Sequence, residues 1–261
     1  MSVVRIPEFI LGVILTGLLL TGCSVFSPSV EAASNERVNE CVILLHGLWR
    51  SNDSMQNMET ALHQAGYVAI NVDYSSMAAE IPELAEALIP RAVAQCQTQG
   101  SDRIHFVAHS MGGILLRYYL GHQKIAGLGR VVMLSPPNKG SEVVDALGGF
   151  PGFNSLAGPS GRQLGTGAGD LPASLGPANF ELGIITGDRS VNPVFSILLP
   201  GDDDGSVTVE SAKLEGMADF LVVPHSHSFI MQRDVTITQT VYFLRNGEFD
   251  HSDKSAAPTT E

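Results

Sequence analysis

The chain has 261 residues, of which 44% are hydrophobic and 16% charged. That composition supports a sizeable buried core in one domain and excludes an intrinsically disordered protein. The formal net charge is −12 with no local cluster of Lys and Arg to offset it, so polyanions are repelled and nucleic acid is excluded as a partner.

Residues 1–23 read as an export signal. Arg5 precedes a nearly unbroken apolar run from Phe9 to Leu20. At about 12 residues the run is too short for a membrane-spanning helix, which needs about 20, and it fits the apolar region of a signal peptide. It ends in Leu20-Thr21-Gly22-Cys23, which resembles a bacterial lipobox. The resemblance implies that Cys23 is acylated and anchors the chain to a membrane. Ser24 in the next position implies sorting to the outer membrane, with the folded part on the periplasmic face. Residues 24–38, rich in Ser, Pro, Ala, Asn and Glu, read as a flexible tether. The folded domain is predicted to span 39–247, with a disordered tail at 248–261.

Cys41-Val-Ile-Leu-Leu45 is a short, purely apolar strand, the pattern of a central parallel strand covered on both faces. It runs into His46-Gly47-Leu48-Trp49-Arg50, where Gly47 lets the backbone turn and the Leu48 N–H becomes a candidate oxyanion donor. His46 is read as a brace for this loop. Trp49 and Arg50 are read as lining the mouth of a site, or as plain surface loop. A helix over 52–65 places Met55, Met58 and Leu62 on one face and closes at Gly66, and Tyr67 to Val72 is the next strand. From Ile81 to Gln97 a helix carries Leu84, Leu88, Ala92 and Cys96 in one row, with a kink or restart expected at Pro90. Cys41 opens a strand and Cys96 closes a helix antiparallel to it, so both fall at one edge of the sheet. A disulfide and two buried free thiols both fit.

From Arg103 to Leu116 an apolar strand breaks into a turn of small residues and resumes as a helix, with Ser110 at the break. Ala108 and Gly112 lie two residues either side of Ser110, where strand and helix approach too closely for larger side chains. This is the pattern of a nucleophile elbow, with the Met111 N–H as the other oxyanion donor. Ala-His-Ser-Met-Gly-Gly resembles the elbow of bacillus-type lipases, which also carry alanine in the first position.

Arg130 to Leu134 is a further strand. Residues 148–177, dense in Gly, Pro, Ser and Ala, read as a lid-like insertion or as a disordered surface loop. Strands follow at Phe180 to Thr186 and Asp219 to Val223. Between them lies Gly201-Asp-Asp-Asp-Gly-Ser-Val207, and after them Pro224-His-Ser-His-Ser-Phe229. The order nucleophile, acid, base is met by Ser110, Asp204 and His227. Asp204 is preferred because Asp204-Gly205, with Val207 shortly after, resembles the acid loop of many lipases, with Asp188 as its rival and Asp202 and Asp203 read as solvated. His227 is preferred over His225 because its Ser-His-Ser-Phe run resembles the corresponding stretch of such hydrolases. His63, His105, His109, His122 and His251 are read as structural or surface residues.

Leu-Leu-His-Gly-Leu, Ala-His-Ser-Met-Gly-Gly, Pro-Pro-Asn-Lys-Gly-Ser, Asp-Asp-Gly-Ser-Val and Ser-His-Ser-Phe follow one another in this order. Together they resemble bacterial serine hydrolases of the α/β-hydrolase superfamily, on the side of the lipases and the glycosylphosphatidylinositol-deacylase-like families. The resemblance implies an α/β fold, with a mostly parallel central sheet, helices on both faces and the Gly-rich lid. It also implies hydrolysis of a carboxylic ester through an acyl-enzyme, with an acyl ester or lipid as substrate and no cofactor. No metal is expected, since neither a His-Glu-x-x-His motif nor a paired-cysteine motif occurs. The same machinery serves an acyltransferase or a thioesterase, and the fold serves a non-catalytic envelope-binding lipoprotein. The motifs name neither the ester nor a protein partner.

Overall fold

The computed structural model describes residues 39–191 and 196–252. The signal segment 1–23 with Cys23, the tether 24–38 and residues 253–261 of the tail lie outside the described residues.

Six strands, β1 (Glu40–Leu45), β2 (Val68–Val72), β3 (Arg103–His109), β4 (Leu128–Leu134), β5 (Leu182–Gly187) and β6 (Asp219–Val223), form one sheet in the order β2-β1-β3-β4-β5-β6. Every pairing is parallel. The described helices are α1 (Gln56–Gln64), α2 (Ile81–Thr98), α3 (Met111–His122), α4 (Glu142–Gly148), α5 (Phe153–Gly161), α6 (Leu171–Ser174), α7 (Val209–Ala212) and α8 (Asp234–Asn246). Strand alternation explains why β1 is apolar from Cys41 to Leu45. Val42 and Leu44 pack with Met55 in the turn before α1, with Met58 and Leu62 of α1 and with Phe243 of α8, while Ile43 and Leu45 pack with Ile81, Ile89 and Ile114 of α2 and α3. Each such side chain contributes about 1.5–3 kcal/mol on burial, and two covered faces leave no polar position after Glu40. This is the α/β-hydrolase fold.

At the amino-terminal edge of the sheet Cys41 and Cys96 are joined by a disulfide, Cα atoms 5.7 Å apart and both side chains fully buried. The pairing is therefore the one of the two alternatives that the structure adopts.

Several elements depart from expectation. β2 begins at Val68, because the Tyr67 N–H turns back to the Leu62 carbonyl at 3.0 Å, and β5 begins at Leu182. α2 runs through Pro90 as a single helix with no restart. Pro90 lies on its exposed side, where the carbonyl that loses its amide partner remains open to water. The start of the stretch read as the tail, from residue 248, belongs to the fold. Phe249 is 3% exposed and packs on Phe243 with ring centroids 4.9 Å apart, and its N–H donates to Asp219 Oδ2 at 2.7 Å. α8 has no counterpart among the predicted elements. Its buried face carries Thr236 and Thr240 alongside Phe243 and Leu244, and the threonines erase the apolar period that marks a helix.

Candidate active site

The end of β3 sets the site. Ser110 follows the last strand residue with φ 53 and ψ −123, a left-handed setting that costs a non-glycine residue on the order of 1–3 kcal/mol. It is held there by its N–H bond to the Leu134 carbonyl at the end of β4, 2.9 Å, and by the first turn of α3. A Cβ on Gly112 would lie 2.7 Å from the Leu45 carbonyl oxygen and 2.8 Å from that of His46. The smallness demanded at Gly112 thus comes from the neighbouring strand β1, whose end the elbow crosses.

The loop after β6 brings His227 to the serine. Its Nε2 lies 2.9 Å from Ser110 Oγ, and its Nδ1 lies 2.9 Å from Asp204 Oδ2. A carboxylate beside Nδ1 places the ring proton there, which leaves Nε2 to accept the serine hydroxyl. Asp204 holds the histidine twice, since its carbonyl also accepts the His227 N–H at 2.9 Å. Asp204 is itself 1% exposed, and its Oδ1 accepts the N–H groups of Ser206 and Val207 at 3.0 and 2.9 Å. Those backbone donors satisfy a buried carboxylate that would otherwise be costly.

The rivals lie elsewhere. Asp188 is 3.8 Å from Arg189 Nε and does not reach His227. The His225 carbonyl accepts the Arg189 N–H, and its ring is not at the serine. Asp202 is exposed, but Asp203 is buried, contrary to the solvated reading. Its Oδ1 accepts the Gly205 N–H at 2.7 Å and the Ser196 hydroxyl at 2.9 Å, so it shapes the turn that presents Asp204. His46 stacks on Tyr74 with centroids 4.0 Å apart, and its carbonyl accepts the Tyr74 hydroxyl, consistent with a brace.

His109 is the site residue that sequence reasoning placed among the structural and surface histidines. It is 1% exposed, its Nε2 lies 3.1 Å from the His227 carbonyl, and the two rings lie 4.9 Å apart. Burial first, and the nearby His227 second, push its pKa well below the usual histidine value. Its position beside Ser110 is the one signal in the sequence that points to it.

Gly47, Leu48, Trp49 and Arg50 form a turn closed by the Arg50 N–H on the Gly47 carbonyl at 3.3 Å. Gly47 lies against the elbow, since a Cβ there would be 3.0 Å from that of Ser110. Leu48 N–H takes part in none of the hydrogen bonds among the described residues, and Met111, at the first position of α3, has an N–H without an intrahelical partner. Above them opens a cavity of about 640 Å³ walled by Leu48, Val144, Leu147, Phe153, Leu164 and Val207. The Gly-rich segment thus contains α5 and α6, and α4 and α5 wall the cavity. The segment is fastened at its far end by Arg117 of α3, a buried cation that donates to the Gly176 and Asn138 carbonyls at 2.8 and 2.9 Å. Burial pushes the pKa of Arg117 down to about 10.

Comparison with curated proteins gives no match. Among solved structures, the mature form of the lipase BlEst2 of Bacillus licheniformis superposes with a TM-score of 0.62 at 17% identity, covering 78% of this chain and 91% of that one. The phospholipase PlaB from Legionella pneumophila gives 0.62 at 18% identity, over 80% of this chain and 60% of that one. A metagenomic carboxyl esterase gives 0.54 at 18%, over 73% and 65%. At such identities the likeness is one of fold. The sequence from residue 42 to 236, three quarters of the chain, with most of β1 and all of β2 to β6, matches the alpha/beta hydrolase family, and the chain belongs to that family.

Proposed function

We propose that the protein is a serine carboxylic ester hydrolase in which Ser110 is the nucleophile, His227 the general base and Asp204 the acid that orients it. The observation that carries this reading is the pair of 2.9 Å contacts on the two nitrogens of His227, one to Ser110 and one to Asp204. His227 Nε2 takes the Ser110 proton as Oγ bonds to the ester carbonyl carbon. The N–H groups of Leu48 and Met111 receive the negative charge on the carbonyl oxygen. When the intermediate collapses, the C–O bond to the alcohol breaks and the alcohol leaves with the proton from His227. Water then attacks the acyl-enzyme, again through His227, and frees the acid and the serine.

The apolar cavity suits an acyl ester or a lipid, and the printed names of the structural neighbours, a lipase, a phospholipase and a carboxyl esterase, accord with that class. The ordered motifs favour the lipase and glycosylphosphatidylinositol-deacylase-like side, with residues 148–177 as a mobile cover. The same proposal takes the chain to be exported, acylated at Cys23 and held at the outer membrane with the domain in the periplasm. A buried Cys41–Cys96 disulfide accords with an oxidising compartment.

The test is labelling with a fluorophosphonate, followed by mass spectrometry of the labelled peptide, on the protein and on Ser110→Ala. The label is expected on Ser110 and absent in the variant, with ester hydrolysis reduced by several orders of magnitude. Normal hydrolysis in Ser110→Ala would overturn the assignment.

A further inference from the structure

Trp49 occupies a position that a tryptophan should avoid. In the turn Gly47-Leu48-Trp49-Arg50 it is the third residue, with φ 58, where glycine or asparagine is usual because a Cβ is crowded. It is also the chain's only tryptophan, and half of it is exposed. Nothing in packing alone rewards a large ring there. The hydrogen bonds do. The Trp49 N–H donates to Ser76 Oγ at 3.1 Å, and the indole Nε1–H donates to the Leu156 carbonyl on α5 at 2.8 Å. Ser160, beyond the break that Gly158 (φ 66, ψ −178) makes in α5, donates its hydroxyl to the Ser76 carbonyl. The turn that carries Leu48 and the helix that walls the cavity are therefore fastened to each other, directly through the indole and indirectly through Ser76.

We propose that Trp49 is a positioning residue that ties α5 to the oxyanion turn, so that an acyl chain long enough to seat α5 also fixes the Leu48 N–H in its donating position. The inference rests on the ester-hydrolase reading above. Leu156 and Phe153 of α5 and Leu48 of the turn all face the same cavity. A long acyl chain fills the space beneath α5 and holds the Leu156 carbonyl on the indole. A short chain leaves that space unfilled and the tie free to break. With the tie broken, the left-handed setting of Trp49 loses one of its two hydrogen-bonded supports and the turn relaxes away from the serine. Acyl length then acts on the catalytic rate as well as on binding.

The experiment compares p-nitrophenyl acetate and p-nitrophenyl octanoate on the wild-type protein, on Trp49→Phe, which keeps a ring but loses the indole donor, and on Ser76→Ala, which removes the second support. Thermal unfolding of each is followed in parallel. In the wild type, kcat is expected to rise about tenfold from acetate to octanoate, the scale at which small displacements of a catalytic group are felt. Both variants are expected to lose that rise while KM still falls with acyl length, because the cavity is intact. A residue that merely shapes the wall would shift KM and leave the kcat ratio alone. Equal kcat ratios in the wild type and both variants would overturn the tie, as would a wild type whose kcat ignores acyl length. A wild type that hydrolyses neither ester would overturn the tie together with the hydrolase reading, whereas an active one with unchanged ratios removes the tie only.

Discussion

His109 Nε2 donates to the backbone carbonyl of His227 across 3.1 Å. Because a carbonyl only accepts, the proton of His109 sits on Nε2 and its Nδ1 is a bare lone pair, buried without a partner among the described residues. A histidine in this state steadies the loop of the base and adds no positive charge beside it. Replacing it with Phe keeps the bulk and removes the donor. Steady-state kinetics on a p-nitrophenyl ester should show kcat falling about tenfold with KM little changed, and Gln, which restores an N–H donor, should recover part of the loss. Equal losses for Phe and Gln would mean that the contact does not matter.

Acid should weaken the fold from the histidines inward. His46, His105 and His109 all have pKa values below the ordinary 6.5, in each case with burial as the largest cause. For His105 the neighbouring Glu40 works in the opposite direction. Each group binds its proton more readily in the unfolded chain. Stability is therefore complete above the ordinary value and is lost as pH falls below it, by up to about 1.4 kcal/mol per pH unit for each such group. Urea midpoints at pH 7.5 and pH 5 should differ accordingly, and His109→Phe should lessen the slope by about one proton's share. A midpoint that does not move with pH would contradict this.

The three consecutive aspartates should separate by function. Asp204→Asn leaves His227 its contact but favours the wrong tautomer, and kcat should fall about 10³- to 10⁴-fold. Asp203→Asn keeps an oxygen to accept from Gly205 and Ser196, so kcat should stay within about threefold. Asp203→Ala, which strands those donors, should lower stability by about 1–3 kcal/mol in urea titration. Comparable losses of kcat in Asp203→Asn and Asp204→Asn would undo the distinction.

Removing the disulfide should cost stability and spare activity. The bond joins residues 55 apart in sequence, and on the chain-entropy account the double replacement Cys41→Ala with Cys96→Ala loses about 4 kcal/mol. Because the bond lies at the edge of the sheet opposite Ser110, ester hydrolysis at 25 °C should remain near normal in whatever fraction stays folded. Loss of activity in a fully folded double variant would tie the two edges together.

What the sequence discloses and what it withholds divide along physical lines. β1 announces itself because a strand covered on both faces from Cys41 to Leu45 has no room for a polar residue, β3 by its apolar Ile104, Phe106 and Val107, and Gly112 beside Ser110 marks a close approach. Ser110, Asp204 and His227 are legible as types in order, and the structure brings those three together. The Asp204-Gly205 turn and the Ser-His-Ser-Phe run favour Asp204 over Asp188 and His227 over His225, and the favoured pair is the one that the loops fold over the sheet to the serine. His109 is hidden: its partner is a main-chain carbonyl 118 residues away, which leaves no trace in composition. Asp203 looks like a surface charge until the turn closes around it. Trp49 is conspicuous as a residue type, yet its partner on α5 is again a backbone atom.

The all-parallel sheet also decides which way the protein faces. β1 enters at Glu40 on one edge and delivers Leu45 to the other, beside Ser110, a distance of about 20 Å for six extended residues. Glu40 therefore lies at the edge of the sheet opposite the cavity mouth. Coupled to a bead or a sensor chip through residue 40, the domain would turn that mouth away from the support, toward whatever the surrounding liquid carries.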